Sequence, residues 1–69
     1  MDIREKVGKR VKQLRNNLGV SQEELADMVE LDRTYITSVE CGKRNISIIN
    51  IEKLATALNV SLAEFFTFE

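Results

Sequence analysis

Apolar residues fall along this chain in helical rhythm, in five separate runs. Val7, Val11, Leu14 and Leu18 recur at spacings of four, three and four, which predicts one amphipathic helix from about residue 2 to Leu18, with Ile3 extending the stripe. Gly19 stands where a helix ends on a left-handed residue. In "SQEE" Ser21 can cap a second helix while Glu24 reaches back, and the core pair Leu25 and Ala26 follows; this helix ends near Val29. Only Glu30 and Leu31 separate it from Asp32, a suitable N-cap for a third helix running to about Cys41 and closed by Gly42. Two short helices joined so tightly must cross steeply. Ser47 caps a fourth helix whose Ile48, Ile51, Leu54, Ala55 and Leu58 share one face, and Asn59 suits the left-handed position after it. "SLAE" repeats the capping pattern at Ser61 and Glu64 and opens a last short helix carrying Leu62, Phe65 and Phe66 as core. The expectation is an all-α fold of five helices without a strand.

Sixty-nine residues suffice for one domain, 1–69, and at this size every helix must give its stripe to one shared core. The apolar share of 43% and the absence of proline fit a globular chain. No apolar run approaches the ~20 residues that cross a bilayer, and the basic N-terminus lacks the apolar block of a signal peptide. A cytoplasmic location with no membrane partner is expected. One cysteine permits no internal disulfide, and without histidine there are neither zinc ligands nor the usual nucleophile and base pairs. No metal, no cofactor and no enzymatic activity are expected.

The net charge of −1 runs against the basic excess usual in phosphate binding, but the charges are segregated. Arg4, Lys6, Lys9, Arg10, Lys12 and Arg15 crowd the first fifteen residues, and Arg33, Lys43 and Arg44 follow later; Glu23, Glu24, Asp27, Glu30 and Asp32 form an acidic block between them. At about 100° per residue, Arg33, Thr34, Thr37, Ser38 and Cys41 occupy one side of the third helix and Ile36 and Val39 the other. A solvated helix face favours Glu, Lys and Gln, and this one has none of them. Short hydroxyls with one arginine suit the major groove, where arginine binds guanine O6 and N7 together and threonine methyls touch thymine.

The residues "SQEELADMVELDRTYITSVECGKRN" with "NIEKLATALNVSLAEFF" resemble the helix-turn-helix domain of the lambda repressor and Cro type, the XRE-like regulators. Gln22, Ala26, Ile36, Glu40, Gly42, Leu54, Ala55, Leu58, Val60 and Phe66 fall on that pattern. Within it, "LDRTYI" followed by "RN" is similar to the small controller proteins of restriction-modification systems. The resemblance implies a compact five-helix lambda-repressor-like domain, with helices two and three forming the helix-turn-helix. It departs from the pattern at Glu30, where the turn usually has glycine, at Ile46, where proline is common, and at Cys41, usually polar. A thiol near the groove opens an oxidant-sensing role, with an inert surface thiol as the plainer alternative.

The DNA-facing expectation assigns base contacts to Arg33, Thr34, Thr37 and Ser38, and backbone contacts to Ser21, Gln22, Tyr35, Lys43, Arg44 and Asn45. Gln22 sits at a helix N-terminus, which favours a phosphate; the resemblance adds a hydrogen bond supporting the recognition side chains. The Tyr35 hydroxyl is expected to reach a phosphate or a base, with packing as the alternative; for Lys43 the alternative is a solvated loop. Lys6, Lys9 and Arg10 are candidates for phosphate contact or simple solvation. The resemblance pairs Arg15 with Glu40 as a structural ion pair. A homodimer is expected through the start of the fourth helix and the last helix, at Ile46, Ile49, Phe65 and Phe68, against the alternative of scattered surface apolar groups. In some phage repressors of the family, the positions of Glu23 and Asp27 touch the sigma subunit of RNA polymerase; the alternative is stabilisation of their own helix. The leading expectation is a dimeric regulator binding a palindromic double-stranded-DNA operator, of the restriction-modification controller kind. A phage-type repressor, an antitoxin, or a protein-interaction module on the same fold are the alternatives.

Overall fold

The computed structural model describes Asp2 to Phe68 and contains α1 (Ile3–Leu18), α2 (Gln22–Val29), α3 (Arg33–Glu40), α4 (Ile48–Ala57) and α5 (Leu62–Phe65), with no strand among the described residues. Each helix begins on a side-chain cap. Ser21 Oγ accepts from Glu24 N at 3.0 Å while the Glu24 carboxylate takes Ser21 N at 2.9 Å, and Ser61 with Glu64 repeats the arrangement. Asp32 receives Thr34 N at 2.8 Å, and Ser47 receives Asn50 N at 3.1 Å. Asp2 and Glu5 form a further capping box on α1, which the periodicity placed only approximately.

The tight α2–α3 turn closes without a glycine. Glu30 takes φ 56 and ψ 40, and Leu31 N–H reaches back to Ala26 O at 3.0 Å, closing the end of α2. A side chain in this left-handed conformation costs roughly 1–2 kcal/mol, so the turn is strained. Asn59, at φ 62, sits in the left-handed region as expected.

The core is assembled from one stripe per helix: Val7, Val11 and Leu14 meet Leu25, Ala26 and Val29, then Ile36 and Val39, then Ile51, Leu54, Ala55 and Leu58, and finally Phe65. Helix α1 packs on α3, α2 touches both α3 and α4, and α5 lies on α4. The reading glycine at the α1–α3 contact is Gly8: a Cβ there would collide with Val39 O and come 3.0 Å from Glu40 O. Gly42, at φ 74, ends the recognition segment against Glu5, whose Cγ lies 2.8 Å from where its Cβ would be.

Three expectations about the core are corrected. Ile48 is 77% exposed rather than buried, and the buried apolar face of α4 begins at Ile51. Ile3 and Leu18, at the two ends of α1, are likewise exposed. Leu62 and Phe66, both expected in the core, are 43% and 44% exposed while Phe65 is fully covered; α5 is one turn long and inserts a single ring.

Candidate nucleic-acid interface

The outward face of α3 is held by a hydrogen-bonded chain that begins in α1. Arg15 Nε donates to Glu40 Oε2 at 2.7 Å and its Nη2 to Oε1 at 3.0 Å, a bidentate pair whose side chains retain 11% and 3% of their exposure. Arg15 Nη1 also donates to Val20 O at 3.0 Å, tying in the α1–α2 turn. The hydrogen bonds it donates to the Glu40 carboxylate hold the Arg15 guanidinium above its already high ordinary pKa. Glu40 Oε1 then accepts Gln22 Nε2 at 3.0 Å, and Gln22 Oε1 accepts the Thr37 hydroxyl at 2.9 Å.

This chain has a direction. A carboxylate only accepts, so Gln22 must turn its NH2 toward Glu40 and its carbonyl toward Thr37. The Thr37 proton is thereby drawn inward, to Gln22 or to Arg33 O at 3.1 Å, which leaves its methyl and an oxygen lone pair for a neighbour outside. Gln22 keeps one amide N–H unengaged, at the positive end of α2.

Along α3, Arg33 and Thr34 are exposed, and Thr37 and Ser38 half-buried. The Arg33 guanidinium makes no hydrogen bond among the described residues, whereas Thr34 Oγ1 donates to Asp32 Oδ1 at 2.6 Å and is part of the cap. Those bonds from Thr34, side chain first and backbone second, hold the Asp32 carboxyl below its ordinary pKa. Past the helix, Lys43, Arg44 and Asn45 are exposed, and the Arg44 guanidinium stacks 4.7 Å above the Tyr35 ring. Tyr35 Oη accepts Asn50 Nδ2 at 3.0 Å, so the tyrosine bridges α3 and α4 while remaining half-buried.

Arg10 is removed from the phosphate-contact candidates. Its Nε donates to Phe65 O at 3.1 Å and its Nη2 to Glu64 O, so it closes the C-terminal end of α5. Among the dimer candidates only Ile49, at 66%, is exposed. Phe65 is corrected to the core, and Ile46 and Phe68 are partly covered by it. Ile48, Ile49 and Leu62 are exposed and with Glu52 border a shallow hollow of about 200 Å3; Ile3, Leu18, Met28 and Phe66 are exposed elsewhere.

Sequence reasoning missed the contacts of Gly8, Arg10 and Asn50 between helices, since their partners are backbone carbonyls or a distant hydroxyl. Cys41 is an exposed thiol at the end of α3. Among the described residues no helix is long and apolar enough to cross a membrane, and no three His, Cys, Asp or Glu are grouped to hold a metal ion.

With this geometry in view, the chain belongs to the helix-turn-helix family, whose model matches residues 11–65, in the branch formed by the restriction-modification control proteins. It is 43% identical over 67 residues to the control protein C.MunI of Mycoplasma sp, covering 96% of this chain and 90% of that one. The crystal structure of the restriction-modification controller protein C.AhdI from Aeromonas hydrophila is similar with a TM-score of 0.87 and 49% identity, over 91% of this chain and 96% of that one. The controller protein C.Esp1396I, seen as a tetramer in complex with its natural 35 base-pair operator, matches at a TM-score of 0.88 and 38% identity, over 96% and 87% of the two chains.

Proposed function

We propose that this chain is a cytoplasmic, homodimeric regulator that binds a palindromic operator in duplex DNA, and that it controls the genes of a restriction-modification system, its own promoter included. The observation that carries this reading is the outward polar face of α3, backed by the buried Glu40 carboxylate and led by the unengaged guanidinium of Arg33. A core helix has no use for that face. Arg33, Thr34, Thr37 and Ser38 read base edges; Ser21, Gln22, Tyr35, Lys43, Arg44 and Asn45 lie around them as backbone contacts. The named alternatives, a phage-type repressor or an antitoxin, would use the same face. A pure interaction module would not need it.

Binding should weaken steeply with salt, and Arg33→Ala should lose about 1 to 3 kcal/mol together with discrimination at one base pair. Anisotropy titrations against duplexes selected from a random library read both. Unchanged preference in Arg33→Ala removes the arginine from base reading, and absence of any salt response favours an interaction module.

Size supports the dimer. The described residues span 28 Å at their longest, short of the roughly 34 Å between successive major grooves that paired half-sites present. The exposed Ile48, Ile49 and Leu62 form an apolar face that a second copy would cover. Ile49→Glu is expected to yield monomers by sedimentation equilibrium and to lose cooperative operator binding, with little change in stability; a persisting dimer places the interface elsewhere.

Activation is supported by Glu23 and Asp27, exposed one turn apart on α2 and not used in its cap, whose acid is Glu24. Reversing both to lysine should abolish activation of a reporter while sparing operator binding. A parallel fall in binding withdraws the sigma-subunit contact.

A further inference from the structure

Asn50 lies in the first turn of α4, with its backbone N–H fixed by Ser47 Oγ at 3.1 Å and its amide Nδ2 donating to Tyr35 Oη at 3.0 Å. The Arg44 guanidinium stands 4.7 Å above the same ring. Tyr35 thus has its oxygen clamped from α4 and its ring covered from the loop.

We propose that Asn50 is a positioning residue for DNA binding, which commits the Tyr35 hydroxyl to act as a donor toward a backbone phosphate. A phenol has one proton to give. With Asn50 occupying a lone pair from the protein side, that proton points away from α4, and among the described residues the phenol donates no hydrogen bond. Phosphate oxygens are acceptors only, so a phenol turned the other way would meet them lone pair to lone pair. Arg44 brings its cation to the same corner, so both groups there present hydrogens to the duplex. The inference rests on the DNA-binding reading above.

Asn50→Asp reverses the clamp, because a carboxylate must take the phenol proton. An acidic residue in the first turn also suits the helix dipole, so the variant should fold at least as stably as the wild type. Affinity is measured by anisotropy on the duplex that the wild-type protein selects from a random library, for the wild type, Asn50→Asp, Tyr35→Phe and the double variant. Each single variant is expected to bind about tenfold more weakly, in keeping with one lost hydrogen bond to a charged group. In the Tyr35→Phe background, Asn50→Asp should add about twofold or less, since the phenol it would misdirect is gone. The chain has one tyrosine and no tryptophan, so tyrosine emission reports Tyr35 alone, and it should be quenched in Asn50→Asp by the new carboxylate. An equal tenfold loss in both backgrounds would mean charge repulsion and overturns the proposal; so does wild-type affinity or unquenched emission in Asn50→Asp. A wild-type protein that selects no sequence brings down the regulator reading itself, whereas one that selects normally while Asn50→Asp matches it defeats only the role of Asn50.

Discussion

Glu40→Ala is expected to lower the free energy of unfolding by about 3 to 5 kcal/mol, the range for removing one partner from a buried ion pair. The magnitude follows from what is left behind. Arg15 keeps 11% of its side-chain exposure and loses both bonds from its fork, retaining only Val20 O, while Gln22 loses the acceptor that fixed its amide. For a domain of this size, whose whole stability is of order 3 to 10 kcal/mol, that is a large share. Urea unfolding followed by helical circular dichroism measures it, and a loss under about 1 kcal/mol would show that the pair is dispensable. A second variant separates stability from function. Arg15→Met with Glu40→Leu replaces both charges by apolar groups of similar volume and should recover most of the loss, since such exchanges are often neutral. It should not recover DNA affinity: with no carboxylate to orient it, Gln22 can turn either end toward Thr37, and the recognition face loses its fixed hydroxyl.

The helices themselves were legible because each announces its start in a short side chain. Ser21, Asp32, Ser47 and Ser61 cap as the local pattern requires, and the α2–α3 turn closes so tightly that even Glu30 accepts a left-handed backbone. The polar face of α3 was legible for a related reason: eight residues with only Ile36 and Val39 buried leave little doubt which side points out. Periodicity says nothing, however, about where a neighbouring helix stops. Ile48 and Ile51 share a face of α4, yet one is 77% exposed and the other 9%, because the apolar core meets that face only from Ile51 onward. A one-turn helix has no period at all, so Phe65, Phe66 and Phe68 could not be ranked as core or surface from spacing. Arg10 was indistinguishable from its basic neighbours, since its acceptors, Glu64 O and Phe65 O, are backbone atoms that leave no mark in sequence.

Gly8 is the sharpest instance of the same blindness, and Gly8→Ala distinguishes local from tertiary causes by the sign of its effect. Alanine in a helix interior is favoured over glycine by about 1 kcal/mol, so α1 taken alone should gain. In the folded chain the new methyl would run into Val39 O and crowd Glu40 O at 3.0 Å, and both are backbone atoms of α3 that no rotamer change can move aside. Overpacking of this kind typically costs about 1 to 3 kcal/mol and more where backbone must shift, so a net destabilisation is expected. Lys9→Ala, at an exposed neighbouring position, should stay within about 0.5 kcal/mol of the wild type. Relief of the clash requires α3 to lift from α1, and Glu40 cannot lift without stretching its bonds to Arg15 and Gln22. Affinity for the operator should therefore fall by at least about tenfold, even at temperatures where Gly8→Ala remains folded. A variant more stable than the wild type with unchanged binding would mean that α1 does not set the height of the recognition helix, and the Glu40 network would then have to hold it alone.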